Sequence, residues 1–200
     1  MLATAAPATA ATLPVDAGFK IGGAEGSCTV SFVDPQTPYL AYTAEHCHPH
    51  GTPTAVTIGR TQIGNYIPQI SNEKLDIIAI RLNSGAHGNT VLRTGEPILG
   101  SRAPVMGAHV CKYGARTGQT CGTVKSVNGD SLDVTMVADH GDSGGPVYER
   151  EERLGRGVYL VGTVIAAHSN RPGVIMCTSI TSITAFLSKT FGPSWQLSSQ

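Results

Sequence analysis

The hydrophobic positions of this chain fall into short runs separated by glycine, proline and polar residues. Many runs are rich in valine, isoleucine and threonine, which is typical of strands in an all-β protein. The pattern predicts strands over residues 28–33, 39–43, 55–58, 77–82, 122–127, 131–137, 158–166 and 174–177. Because these runs are short and closely spaced, they favour β-barrels over units in which strands alternate with helices.

One segment near the C-terminus has a helical period instead. Apolar side chains recur at Ile183, Phe186 and Leu187, a spacing that places them on one face of a helix. We therefore expect one short helix over residues 181–189, packed against the second half of the chain.

Composition narrows the possible classes of protein. The chain has 200 residues, among them 24 glycines and 12 prolines, and its formal net charge is zero. This length suits one compact unit or two small β-modules that share a cleft. Without a basic cluster or an apolar run of membrane-spanning length, we expect neither a nucleic-acid partner nor a membrane span.

Residues 1–20 are Ala/Pro-rich at their start and lack the parts of an intact signal peptide, so we expect a flexible tail there.

The strongest chemical signal is the hexapeptide Gly-Asp-Ser-Gly-Gly-Pro at residues 141–146. Glycines allow the backbone to turn sharply beside Ser143 and to present its amides. The amides of Gly141 and Ser143 are placed to converge in front of the hydroxyl, which is the arrangement of an oxyanion hole around a serine nucleophile. The structural alternative is a tight turn with an incidental serine.

Two upstream motifs supply the partners that a serine nucleophile needs. An apolar strand runs into Thr-Ala-Glu-His-Cys at residues 43–47, and Asp76 precedes a β-branched strand. A serine hydroxyl becomes a strong nucleophile when a histidine takes its proton and a carboxylate orients that histidine. We therefore predict a triad of His46 as base, Asp76 as orienting acid and Ser143 as nucleophile.

These motifs, in the order His46, Asp76, Ser143, resemble those of the chymotrypsin-like serine proteases. The segments at 28–32 and 110–124 are similar to the secreted bacterial branch that includes the streptogrisins and α-lytic protease. The resemblance spans residues 21–187. It implies an all-β fold of two six-stranded antiparallel β-barrels, with the active site between them and a short C-terminal helix. We expect the first barrel over 21–96, a linker over 97–104, and the second barrel with the helix over 105–200.

The resemblance also implies two disulfides, Cys28–Cys47 and Cys111–Cys121. Such bridges persist in an oxidising compartment, so we expect a secreted, extracellular or cell-envelope protein. Cys177 remains, and we interpret it as a small buried hydrophobic residue, with an intermolecular bridge as the alternative.

A buried ion pair is implied beside the serine. In the bacterial branch, a basic residue after the first cysteine of the 111–121 loop pairs with the acid that precedes the serine. Here these residues are Lys112 and Asp142, although arginine is usual at the first position. Glu45 is a second departure, because a small residue usually precedes the catalytic histidine.

The predicted specificity pocket contains small or apolar residues and no acid. Its walls are expected from Val137, Ala138, Val164, Ile165, Ala166, Ala167 and Ile175. This lining favours a small or apolar side chain before the scissile bond. Ile165 replaces a serine that usually helps to hold the aspartate, and Ala166 and Ala167 replace glycines.

The function that these residues predict is that of a secreted, monomeric serine endopeptidase acting on proteins or peptides through an acyl-enzyme. Neither a metal nor a cofactor is needed for that chemistry. Two alternatives stay open: a catalytically silent homologue that acts as a binding protein, and a metal-dependent hydrolase that uses the histidines at 46, 48 and 50.

Overall fold

The computed structural model describes residues 12–23, 26–48, 54–151 and 157–197. In chain order its strands are β1 (Leu13–Ala17), β2 (Lys20–Gly23), β3 (Gly26–Thr29), β4 (Phe32–Val33), β5 (Leu40–Thr43), β6 (Ala55–Ile58), β7 (Thr61–Asn72), β8 (Ile77–Leu82), β9 (Ala86–Leu92), β10 (Ile98–Ser101), β11 (His109–Gly114), β12 (Gly118–Asn128), β13 (Ser131–Thr135), β14 (Pro146–Arg150), β15 (Val158–Ala167) and β16 (Val174–Ser179). A 3-10 turn (Glu45–Cys47) follows β5, and the helix α1 (Ile180–Phe191) follows β16. The predicted all-β fold with a C-terminal helix is confirmed.

The first module is one curved, antiparallel sheet. Its strand order is β3-β2-β6-β7-β8-β5-β4, and Ile21, Val56 and Ile80 are buried on its inner face. Within the described residues, the edge strands β3 and β4 do not pair, so this sheet is a half-barrel, which is consistent with the first barrel of the expected double-barrel fold. At the end of β3 the Thr29 amide instead donates to the Ser143 carbonyl oxygen at 2.8 Å, in the second module.

The second module is a closed six-stranded barrel. The order β15-β14-β11-β12-β13-β16 returns to its start because β16 also pairs with β15. Valines from several strands fill its core, among them Val124, Val134 and Val161. Cys177 lies in the same core as a free and fully buried cysteine, which agrees with its interpretation as a small hydrophobic residue.

Two predicted boundaries are wrong where the structure describes them. The expected tail over 1–20 contains β1, which pairs in parallel with β9 and buries Val15 and Ala17 completely. The expected linker over 97–104 contains β10, which pairs in parallel with β15. Both strands depend on partners that are remote in sequence, so local composition does not reveal them. Residues 1–11 lie outside the described part of the chain.

The helix α1 closes the core between the modules. The Ser179 side chain caps its first turn by accepting a hydrogen bond from the Thr181 amide at 3.2 Å. Its buried face, with Ile183 and Leu187, belongs to a hydrophobic cluster that also contains Tyr42 and Tyr148 from the two sheets. Among the described residues, no helix has the length and apolar character needed to cross a membrane.

The segment after α1 is tied to the first module through a buried carboxylate. Asp34 is 1% exposed, and its Oδ2 accepts hydrogen bonds from Tyr42 Oη at 2.9 Å and from Trp195 Nε1 at 2.8 Å. Its Oδ1 accepts from the amides of Gln36 and Thr37. Burial and the neighbouring Asp34 carboxylate raise the pKa of Tyr42, so the phenol remains a donor throughout the neutral range.

We expect Asp34→Ala to lower the free energy of unfolding by about 3–5 kcal/mol, since it leaves buried Tyr42 and Trp195 donors unsatisfied. Urea unfolding followed by Trp195 fluorescence measures this change. Asp16→Ala is the matched control, because Asp16 is only partly buried and bonds one side chain, Asn89. Equal losses in the two variants would contradict the anchoring role of Asp34.

Candidate active site

His46 and Asp76 meet at the edge of the first module. His46 Nδ1 lies 2.7 Å from Asp76 Oδ2, and the His46 amide donates to Asp76 Oδ1 at 2.8 Å. A carboxylate only accepts hydrogen bonds, so Nδ1 carries the ring proton and Nε2 is free to act as a base. The hydrogen bond with Asp76 raises the pKa of His46; partial burial opposes this rise, and the charge of Glu45 adds to it.

The backbone around Asp76 is held in an uncommon conformation. Asp76 has a φ of 50°, in the left-handed region that few non-glycine residues adopt. The turn is fixed on one side by the Asn72 side chain, which accepts from the Leu75 amide at 3.1 Å. On the other side, Thr178 of β16 donates to the Leu75 carbonyl oxygen at 2.6 Å, in a fully buried contact. A residue of the second module thus helps to set the position of Asp76.

Ser143 lies across the cleft from the histidine. Both side chains line one cavity of about 390 Å³. The Ser143 hydroxyl donates to the Ile165 carbonyl oxygen at 3.3 Å. The three predicted triad residues are therefore brought to one cleft, with the His46–Asp76 pair already hydrogen-bonded and the serine hydroxyl turned toward β15.

The loop before Ser143 contains two backbone amides without an acceptor in the described part of the chain. Within the described residues, the amides of Gly141 and Ser143 donate to no protein acceptor. Gly141 has a φ of 105° and Gly144 a φ of 83°, values that L side chains rarely adopt. A Cβ at Gly144 would also lie 2.2 Å from Thr43 Oγ1, so the close approach of loop and first module requires glycine.

A buried charge anchors the same loop. Asp142 and Lys112 are fully buried, and Lys112 Nζ lies 3.0 Å from Asp142 Oδ2. Asp142 also accepts hydrogen bonds from the Arg116 and Thr117 amides, from Thr117 Oγ1 and from the Asp139 amide. Burial alone would raise the pKa of Asp142, but these donors outweigh it and hold the pKa below its ordinary value. Burial lowers the pKa of Lys112, and the Asp142 charge partly offsets that effect.

Thr29 is a site residue that the sequence analysis missed. It is fully buried, and its hydroxyl donates to the Gly141 carbonyl oxygen at 2.7 Å while accepting from the Ala115 amide at 2.9 Å. It thereby orients the peptide that follows Gly141. The available signal was a hydroxyl residue directly after Cys28, within the segment 28–33 that the sequence predicts as a strand.

The predicted specificity pocket is only partly correct. Five of its residues line the cavity between His46 and Ser143, namely Ala138, Val164, Ile165, Ala166 and Ala167, joined by Asp139 and His140. Val137 does not line it, because β13 ends at Thr135 and the Val137 side chain is 61% exposed. Ile175 is 1% exposed, belongs to the hydrophobic core of the second barrel and does not line the cavity.

The two predicted disulfides are present beside the site. Cys28–Cys47 joins β3 to the turn that carries His46, and Cys111–Cys121 joins β11, the strand that carries Lys112, to β12. Among the described residues, two groups place three potential metal ligands within 4.8 Å, and each includes both sulfurs of one disulfide together with His46 or His109. A disulfide sulfur is not the thiolate that a metal binds, so neither group is a metal site while the bridge is intact. Position 50 of the predicted histidine cluster lies outside the described residues.

Sequence comparison identifies a related protein. No family model matches the chain. The chain is 34% identical to the uncharacterized protein Rv1815 of Mycobacterium tuberculosis strain H37Rv in an alignment of 157 residues that covers 71% of each protein.

Structural comparison identifies the fold. The chymotrypsin of Cellulomonas bogoriensis superposes with a TM-score of 0.69 at 21% identity, over 88% of this chain and 97% of that one. Protease A of Thermobifida fusca superposes with a TM-score of 0.68 at 22% identity, over 88% and 96% of the two chains. The chain therefore belongs to the family of Rv1815 and has the double-barrel fold of the bacterial chymotrypsin-like serine proteases.

Proposed function

We propose that the protein is a serine endopeptidase that cleaves proteins or peptides through an acyl-enzyme. The observation that carries the proposal is the placement of the Asp76-bonded His46 and of Ser143 on the wall of one cleft. The fold agrees with it, because solved structures with this fold include a chymotrypsin and a bacterial protease.

In this mechanism His46 Nε2 takes the proton of the Ser143 hydroxyl as the oxygen attacks a peptide carbonyl. The hydroxyl first leaves the Ile165 carbonyl oxygen, a rotation about one side-chain bond. The amides of Gly141 and Ser143 donate to the negative oxygen of the tetrahedral intermediate. His46 then protonates the leaving amine, and water, activated by the same imidazole, releases the acyl group.

The cavity beside Ser143 supports a preference before the scissile bond. Its volume of about 390 Å³ and its lining by Ala138, Val164 and Ala166 suit a small or apolar side chain. Asp139 and His140 also line the cavity, toward the loop that carries the oxyanion amides. The two disulfides support secretion into an oxidising environment.

A silent binding homologue is the second candidate. Two features favour it. The Ser143 hydroxyl donates to the Ile165 carbonyl oxygen at 3.3 Å, and Ile165 replaces a serine that usually helps to hold the aspartate. The experiment that separates the two functions is covalent reaction of Ser143.

We expect a fluorophosphonate to label the wild-type protein and to leave Ser143→Ala unlabelled, because the reagent needs an activated serine. Labelling is measured by the mass increase of the intact protein. His46→Ala, which keeps the hydroxyl but lacks the base, should react far more slowly. A folded wild-type protein that stays unlabelled would support the binding homologue instead.

The raised pKa of His46 has a consequence for the pH profile. Only the neutral imidazole accepts the serine proton, so kcat/KM falls as the pH drops through that pKa. The midpoint of this fall, the acid limb of the pH profile, should lie above the ordinary histidine pKa of 6.5. Glu45→Gln removes a negative charge that favours the imidazolium, and it should move the limb to lower pH. Glu149→Gln, in β14 beside Arg102, should not move it. A limb that is the same in Glu45→Gln and the wild type would remove Glu45 from this account.

Loss of Lys112 should affect both stability and activity. Lys112→Met leaves the Asp142 charge buried without its cation, and we expect a loss of about 3–5 kcal/mol in the free energy of unfolding. Displacement of the oxyanion amides should lower kcat about a hundredfold. Lys112→Arg should retain most of the stability and most of the activity. The control is Lys125→Met, at an exposed position of β12. Wild-type stability and activity in Lys112→Met would show that the pair is dispensable.

A further inference from the structure

A second cavity adjoins the candidate active site and has a different chemical character. It measures about 780 Å³, and we call it the basic groove. Its lining includes three cationic side chains, Lys20, Arg93 and Arg116, and two aromatic rings, Phe19 and Tyr113. Among the described residues that line it there is neither an aspartate nor a glutamate. This local excess of positive charge stands out in a chain whose formal net charge is zero.

The three cations are exposed and poorly neutralised. The guanidinium of Arg93 lies 4.5 Å from the Phe19 ring centre. Within the described part of the chain, neither Lys20 nor Arg93 forms an ion pair. The carboxylate nearest to Arg116 is that of Asp139 at 3.6 Å, and since the two side chains are 69% and 53% exposed, water screens this pair strongly.

The basic groove begins at the oxyanion loop. A Cβ placed on Gly141 would lie 3.1 Å from Ser27 Oγ and 3.5 Å from Arg116 Cβ, and both of these residues line the groove. Ser27 precedes Cys28, whose disulfide leads to Cys47 beside His46. The groove and the apolar cavity at Ala166–Ala167 share no lining residue. Gly141 approaches Ser27 and Arg116 of the groove, whereas Ser143 lines the apolar cavity, so the loop that carries both residues separates the two cavities.

We propose that the basic groove binds the part of the substrate that follows the scissile bond and selects acidic residues there. The inference rests on the proposed endopeptidase function. The two halves of a peptide leave the reacting carbonyl in opposite directions, and the half before the scissile bond occupies the apolar cavity. The half after it therefore passes over the Cys28–Cys47 bridge into the groove. Carboxylates at its second and third positions then meet Lys20, Arg93 and Arg116, which raises association through charge complementarity.

The test compares three internally quenched peptides that are identical before the scissile bond. After an alanine they carry Glu-Glu, Gln-Gln or Lys-Lys. We expect kcat/KM for the Glu peptide to exceed that for the Gln peptide about tenfold, and the Lys peptide to be slowest. Because exposed charges are screened over about 10 Å at 0.1 M salt, the ratio should approach one in 0.5 M NaCl.

The double variant Lys20→Glu/Arg93→Glu should reverse the Glu-to-Lys order. Each ratio is taken within one protein, so it does not depend on the level of activity. Lys125→Glu makes a charge change of the same sign at an exposed position outside the groove and should keep the wild-type ratio. If the double variant does not fold, either single substitution should lower the Glu-to-Lys ratio of kcat/KM at least twofold.

Two failures are distinguishable. If the wild type hydrolyses none of the peptides and no peptide nitroanilide, the proposed endopeptidase function fails. If it hydrolyses them with equal kcat/KM, the groove inference alone fails. Fluorescence anisotropy with the Ser143→Ala variant tests the groove without catalysis, since the Glu peptide should bind more tightly than the Gln peptide. Equal binding of these peptides together with tight binding of a sulfated polysaccharide would overturn the proposal in favour of a polyanion site.

Discussion

The carboxylate of Asp142 has no contact with solvent, and a buried charge is stable only where protein groups replace its water. Those groups are the ammonium of Lys112, the hydroxyl and amide of Thr117, and the amides of Arg116 and Asp139. All the partners come from the β11–β12 hairpin or from the loop itself. The loop before Ser143 consequently has one position relative to that hairpin, and the amides of Gly141 and Ser143 within it donate to no acceptor among the described residues.

A second constraint acts between the two modules. Thr29 of the first module donates to a carbonyl oxygen of the oxyanion loop, and Thr178 of the second donates to the carbonyl oxygen of Leu75, next to Asp76. Each module thus holds the functional loop of the other through one buried hydroxyl. Proton transfer between His46 and Ser143 depends on small distances across the cleft, and these reciprocal contacts limit how far the modules can shift.

The two cavities beside the cleft differ in the forces that they offer to a ligand. The cavity at Ala166–Ala167 is lined mainly by small and apolar groups and acts through shape and removal of water from carbon surface. The basic groove acts through charge at a distance and is sensitive to salt. In the proposed endopeptidase, recognition on the two sides of the scissile bond would therefore respond to different properties of the substrate.

The sequence by itself determined the all-β class and the C-terminal helix, because both follow from short-range hydrophobic patterns. The local motifs around His46, Asp76 and Ser143 indicated the proposed triad, and their resemblance to the chymotrypsin-like proteases implied the two disulfides. The sequence did not reveal β1 and β10, because these strands form on parallel partners far along the chain. It also placed Val137 and Ile175 in the wall of the pocket, whereas Val137 is 61% exposed and Ile175 is buried in the core of the second barrel.

The tertiary structure decided the half-barrel of the first module, the role of Thr29 and the convergence of Lys20, Arg93 and Arg116. These features arise where segments distant in sequence meet, and the physical reason is that a hydrogen bond or an electrostatic potential depends on distance in space. Local sequence motifs therefore indicated the candidate reacting residues of the cleft, while the packing of the two modules decided which other side chains surround them.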